Sequence, residues 1–509
     1  MNKVSILLGL FLWVFSFGNT FSLELTTSSD SKILVQVNSQ KGHDYSGSKK
    51  EVNKDSNHSS QVKETHEKHV NHGPIKNLSH LWVIPFALLL LSIAIFPLVA
   101  EHWWEENMNK AKISFPLGIL VACYLAYQYG PRGIKLIEHS AVEFIQFIVL
   151  LGALYIISGG IVVRGKMIGS TKLNAIFLSI GALIASFVGT TGASMLLIRP
   201  MLRANACRKH VVHTVVFFIF MVSNIGGCLT PLGDPPLFLG FLKGVPFTWT
   251  FSLWPEWLLM NAILLGVYII WDYFFYYSKE GEILKVEEKE EDKSKKKVSI
   301  VGILNFVWLL GVVLCVAFLT PSFLGNLGLH PMTRELVMVI LIILSLVMTD
   351  KKLRAENEFN YHPITEVAVL FVGIFITMIP AINSLKILGP SLGVTEPMQF
   401  FWGTGLLSSF LDNAPTYVVF FELAKSLGLD PNTYGALVAA TGVPAKILAA
   451  ISLGAVFMGA NSYIGNGPNF MVKAIAEQSG IKMPSFFGYM AYSFGVLVPL
   501  LVVVSLIFF

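Results

Sequence analysis

Charge is scarce in this chain. Asp, Glu, Lys and Arg make up 14% of 509 residues, against about 25% in an ordinary soluble domain. A shortage of that size excludes a surface built mainly to face water. Cysteine is scarce too. Cys123, Cys207, Cys228 and Cys315 are scattered in or beside apolar segments. That scatter excludes a disulfide framework and a thiolate metal centre, and the four read as small packing residues. No paired metal-ligand motif such as His-Glu-x-x-His occurs, so a metallo-enzyme has no support. The net charge of +5 sits mostly in loops, where it reports topology rather than a nucleic-acid partner.

What is present is apolar length. Hydrophobic residues reach 54% and the mean hydropathy is +0.63. Windows of about 20 apolar residues recur, enough to cross a hydrocarbon core of about 30 Å. The chain reads as an all-α polytopic protein whose main partner is the lipid bilayer. Residues 1–23 have a signal-peptide pattern: Lys3, then an apolar centre, then smaller residues. Residues 24–79 are polar and His-rich, a tail expected to be disordered. Spans are expected near 81–100, 114–130, 138–160, 211–245 (broken) and 249–276, with a hairpin at 172–202. A second set is expected near 298–320, 332–349, 363–382, 433–475 (broken) and 484–509, with a hairpin at 398–425.

Loop charge orients these spans. Basic residues favour the cytoplasmic side. Lys110 and Lys112, then Arg164, Lys166 and Lys172, then Arg199, Arg203, Arg208 and Lys209 fall in alternate loops, as do the Lys-rich 279–297 and Lys351, Lys352 and Arg354. Parity places the N-terminal tail outside. It makes 80–276 and 298–509 two inverted repeats, each of five spans plus a re-entrant hairpin, joined by a cytoplasmic linker at 277–297. Glu143, His213, Glu366 and Glu422 lie near span ends, and interfacial placement is the plainer reading of each.

Two short stretches occur twice. Ser186-Phe187-Val188-Gly189-Thr190-Thr191-Gly192 is echoed by Ser409-Phe410-Leu411-Asp412-Asn413-Ala414-Pro415. Gly233-Asp234-Pro235-Pro236-Leu237-Phe238 is echoed by Gly465-Asn466-Gly467-Pro468-Asn469-Phe470. All four interrupt apolar runs. In lipid, such backbone survives only where protein buries it or it lines a wet cavity, and paired interruptions point to a transporter's binding site. Asp412 is the sharpest single signal, because an acid at membrane depth is expensive; the plainer reading is a helix N-cap. Asp234, Asn224, Asn413, Thr190 and Thr191 complete the first set of candidates. Ser194, Asn461, Ser462, Asn466 and Asn469 form a second set. Lys446 reads equally as a counter-charge to Asp412 or as a snorkelling interfacial residue.

At these residues the chain resembles the ion transporter superfamily, which includes NhaD-type sodium/proton antiporters, arsenite permeases and citrate or dicarboxylate carriers. The resemblance covers about 85–509. It is carried by Leu411-Asp412-Asn413-Ala414-Pro415-Thr416, by Ser223-Asn224-Ile225-Gly226-Gly227 running into Gly233-Asp234-Pro235-Pro236, and by Ile464-Gly465-Asn466-Gly467-Pro468-Asn469. The Asp-Asn tip is most similar to the NhaD-type branch. Carboxylate carriers more often show Ser-Asn-Thr at both tips, and this chain shows it at neither. The resemblance implies a moving transport domain and a homodimer formed through a scaffold domain. It implies exchange of Na+, or Li+, for H+ across a bacterial inner membrane, with no cofactor beyond the transported ions. Asp412, Asn413, Asp234, Asn224, Thr190 and Thr191 would bind them, the two acids directly. One departure stands out: the first tip has Gly189-Thr190 where NhaD-type antiporters often repeat Asp-Asn. The alternative is a carboxylate or oxyanion carrier.

Overall fold

The computed structural model describes residues 78–165, 167–280 and 298–509. The signal segment 1–23, all but the last two residues of the tail, and linker residues 281–297 lie outside them. The principal helices are α1 (Ile84–Val99), α2 (Asn107–Tyr129), α3 (Pro131–Ser158), α4 (Thr171–Val188), α5 (Thr190–Ala204), α6 (Val212–Met221), α7 (Pro235–Leu242), α8 (Trp254–Trp271), α9 (Leu304–Phe318), α10 (Thr333–Met348), α11 (His362–Leu388), α12 (Pro397–Ser408), α13 (Asn413–Leu427), α14 (Ala445–Met458), α15 (Gly467–Gln478), α16 (Phe486–Tyr492) and α17 (Val498–Phe508). Strands β1 (Val162–Arg164) and β2 (Ser299–Val301) pair antiparallel. Eight helical stretches among the described residues are long and apolar enough to cross a membrane. This is a multi-pass membrane protein.

Exposure separates lipid-facing from inner elements. On α10, Leu336, Ile340, Ile343 and Val347 are exposed and share one face, while Met338 and Ser345 on the other are buried. The stretch Val212–Leu229 differs from every other span. It is 94% buried, against 22–50% for the other seven. It can therefore stop being helical without presenting bare backbone to lipid.

The interruptions fall where the repeated stretches do. Helices α4 and α5 pack as a hairpin hinged on the single residue Gly189, whose φ of 81° suits glycine alone. Helices α12 and α13 form the other hairpin around 409–412. Helix α6 stops at 221 and resumes as α7 at 235; α14 stops at 458 and resumes as α15 at 467.

Serine and threonine side chains satisfy the freed backbone in matching ways. Ser186 Oγ donates to the Gly226 carbonyl at 2.5 Å, and Thr230 Oγ1 donates to the Ser186 carbonyl. In the second half, Ser409 Oγ donates to the Met458 carbonyl at 3.2 Å, and Ser462 Oγ to the Ser409 carbonyl at 2.5 Å. Trp257 Nε1 donates to Gly226 O at 3.3 Å; Tyr489, at the corresponding place, donates to Ala460 O at 2.8 Å. The two loops also double back equally tightly. A Cβ at Gly233 would lie 2.0 Å from Gly227 O, and one at Gly465 2.5 Å from Gly459 O, so both positions exclude any side chain.

Charged groups near the span ends pair between helices. Lys110, 2% exposed, meets Glu366 at 2.8 Å and ties α2 to α11. Lys243, at the end of α7, reaches Glu422 on α13 at 3.2 Å and Glu143 on α3 at 3.6 Å. Arg208 and Asp272 are fully buried and meet at 2.6 Å. His213 Nε2 lies 2.8 Å from the same carboxylate, Thr171 Oγ1 donates to it at 2.5 Å, and Arg208 Nε donates to Glu280 at 3.0 Å. This knot closes one end of α8 against the starts of α4 and α6. At the exposed end of β1, hydrogen bonds from Arg164 hold the Glu356 carboxyl below its ordinary range.

Candidate functional site

Four helix beginnings meet at one carboxylate. Asp234 is the N-cap of α7, 1% exposed, held in extended backbone just before Pro235-Pro236. Thr190, the first residue of α5, donates to its Oδ1 at 2.8 Å. Asn466, the N-cap of α15, donates to the same oxygen at 3.0 Å. Asn413, the first residue of α13, donates to Oδ2 at 2.6 Å. Both hairpin tips and both helix breaks thus end on a single acid. The backbone repeats this at the first tip, where Thr190 N donates to Gly233 O at 2.7 Å.

A second ring of amides supports the first. Asn224 Nδ2 donates to Asn469 Oδ1 at 2.7 Å and to Ile219 O at 2.8 Å, while its Oδ1 accepts from Asn466 at 3.1 Å. Asn469 donates in turn to Gly459 O and Ser462 O. Ser194 and Ser223 hydrogen-bond at 2.8 Å between α5 and the first break. Asn461 donates to Ser409 Oγ at 2.9 Å. Within this cluster two buried amide oxygens, Asn413 Oδ1 and Asn461 Oδ1, have no hydrogen-bond partner. Buried acceptors rarely go unsatisfied, and the Asn413 oxygen belongs to the same amide group that donates to Asp234.

Electrostatics at this point run both ways. Each helix N-terminus carries about half a positive charge. Four of them present roughly two charges' worth of positive potential against the one negative charge of an ionised Asp234. The surplus favours a further anion, while the carboxylate and the free Asn413 oxygen favour a cation beside it.

The sequence candidates divide accordingly. Asp234, Asn413, Thr190 and Asn466 are brought together directly, with Asn224 and Asn469 behind them. Ser462 serves the backbone of the second tip. Thr191 is half-buried and makes no hydrogen bond in the network. Lys446 is exposed near the start of α14. Asp412 is half-buried, and its Oδ1 accepts from Ala414 N at 2.9 Å, an N-cap for α13. Replacing an acidic cap by Ala costs about 1 kcal/mol, whereas Asn caps as well as Asp. Asp412→Asn is therefore expected to keep the protein folded and to lower substrate uptake by a few-fold only, measured in proteoliposomes; abolished uptake would place Asp412 inside the site.

Sequence reasoning missed Ser186 and Ser409 as organisers, although both stand at the same place in the repeated stretches. A chance hydrolase-like spacing, Gly389-Pro390-Ser391-Leu392-Gly393, falls on an exposed turn where Ser391 Oγ donates to Leu388 O at 2.7 Å, with no strand-to-helix elbow around it. Among the described residues, no group of three or more His, Cys, Asp or Glu side chains is placed to hold a metal ion.

None of the curated proteins matches the chain. A family model described as "Putative citrate transport" matches residues 75–509, which take in every helix just described and all four elements that meet at Asp234. By that match the chain belongs to this citrate transport family of the ion transporter superfamily.

Proposed function

We propose that the protein is a secondary active carrier of a citrate-type carboxylate, coupled to a cation held by Asp234. The observation that carries this reading is the meeting of four helix N-termini at one acid. Half-helix N-termini turned toward a midplane site are how discontinuous helices hold an anionic substrate, while freed carbonyl and carboxylate oxygens hold the coupling ion. Asp234 and the unpaired Asn413 oxygen would take a Na+ ion or, at the carboxylate alone, a proton. The surplus positive potential would take the cargo's carboxylates once the cation has neutralised Asp234. Thr190 and Asn466 orient the carboxylate, and Asn224 fixes Asn466. The two halves, read as inverted repeats, would expose this site to each side in turn.

Family membership supports the carboxylate as cargo. Na+/H+ exchange is a second reading, favoured by one specific feature: among the described residues, no Lys or Arg side chain joins the network around Asp234. Labelled citrate and labelled Na+ uptake, followed in parallel in proteoliposomes with an imposed Na+ or pH gradient, separates the two. Gradient-driven citrate accumulation is the expected result. Na+ movement that discharges a pH gradient with citrate absent, and no citrate uptake, would establish exchange instead.

A further inference from the structure

A second acid lies against the first break, and neither reading above uses it. Glu256 is in the first turn of α8, 9% exposed, and its Oε2 is buried with no hydrogen-bond partner. The segment around it is packed onto the interruption. The next residue, Trp257, donates its indole N–H to Gly226 O at 3.3 Å, and Thr250 Oγ1 donates to Leu229 O at 3.0 Å. One turn further along α8, the buried Asn261 Oδ1 also lacks a partner, its amide N–H being committed to Trp257 O. Each of these two side chains thus keeps one buried oxygen to which nothing donates.

No countercharge compensates Glu256. The elements packed against α8 are α4, α6, α17, the turn Trp249–Leu253, the turn Ile225–Leu229 and the π turn Asp272–Tyr277. Their charged and titratable groups are Lys172 on α4, His213 on α6, and Asp272, Tyr273, Tyr276 and Tyr277 on the π turn. These lie at the opposite end of α8, where Thr171 and His213 bond Asp272. Sixteen residues separate Glu256 from Asp272, roughly 24 Å at a helical rise of about 1.5 Å per residue. The turn Ile225–Leu229 contributes only the buried Cys228 thiol. Among the described residues, Glu256 forms no ion pair. A buried carboxylate oxygen with neither a donor nor a countercharge is costly, and a proton bound there removes that cost.

We propose that Glu256 is a proton-binding site, separate from Asp234, through which this carrier couples H+ to transport. The coupling role rests on the transporter reading above; the protonation itself does not. Binding forms an O–H bond at Oε2 when the break is closed, and the proton leaves when movement of the adjacent break admits water. The equivalent place in the second half is Gly488, so the site occurs once per chain.

Two measurements on the full-length protein test it. Infrared difference spectra of the purified protein near neutral pH should contain a protonated-carboxyl C=O band that Glu256→Gln removes and Glu256→Asp shifts. In proteoliposomes, Glu256→Gln should lower substrate-linked proton movement at least tenfold, and Glu256→Asp should restore part of it. An unchanged band in Glu256→Gln would overturn the proposal. So would full proton movement in that variant, even with the band lost. If the native protein carries no citrate, the citrate reading fails, and the infrared comparison still decides whether Glu256 holds a proton.

Discussion

Asp234→Asn is expected to abolish coupled uptake while leaving the protein folded. The carboxylate takes three hydrogen bonds from four-helix convergence, and all three neighbours act as donors. An amide at 234 keeps one acceptor oxygen for Thr190 and Asn466. Its NH2 group would face Asn413, whose unpaired Oδ1 becomes an acceptor by a flip of that side chain. The substitution therefore removes a charge without leaving the cluster unsatisfied. Losing a charge-assisted contact to the coupling cation costs ~3 kcal/mol, about a hundredfold in affinity at ~1.4 kcal/mol per tenfold. Cation titration of substrate uptake in proteoliposomes measures the shift, with detergent-solubilised melting as the check on folding. Normal cation dependence in Asp234→Asn would remove the acid from coupling altogether.

Arg208→Ala should instead destabilise the protein without touching the site. It strands Asp272, whose carboxylate is fully enclosed, and Glu280, which is nearly so. Removing one partner of a buried ion pair costs roughly 3–5 kcal/mol, because the remaining charge stays in a medium that cannot solvate it. Thr171 and His213 still contact Asp272, which places the loss toward the lower end of that range. Thermal melting in detergent should fall markedly, with cation affinity unchanged in whatever fraction remains folded. Arg208→Lys should recover only part, since one ammonium cannot bridge both acids as the guanidinium does.

Much of the helical layout was legible because membrane helices announce themselves by apolar length, and interruptions by Gly, Pro and Asn. Both hairpins fall within a few residues of their expected positions. Helices α2 and α3 begin at Asn107 and Pro131, earlier than the expected 114 and 138, and two further boundaries differ for local reasons. Helix α11 runs to Leu388, past the expected 382, because Pro380 sits inside it without ending it. The second broken span begins at Ala445 rather than near 433, since Gly435 and Gly442 adopt positive φ and Leu437 bridges to Pro444 in a short antiparallel contact.

The site was legible as a set of stretches but not as a hierarchy. Asp412 outranked Asp234 in sequence because its apolar flanks made it conspicuous, while Gly-Asp-Pro-Pro resembles an ordinary turn. Which acid receives the converging donors depends on Asn413 and Asn466, residues 179 and 232 positions away from Asp234, and no local pattern encodes such a pairing. Glu256 was invisible for the same reason: its significance lies in what fails to surround it.

Positions 234 and 466 are counterparts, yet one bears an oxygen where the other bears an NH2. An unloaded carrier that reset with Asp234 ionised would drag a single unbalanced negative charge through the bilayer's electric field. At ~2.3 kcal/mol per 100 mV for each full charge moved, membrane voltage would act on that empty return stroke, and a second acid at 466 would double its leverage.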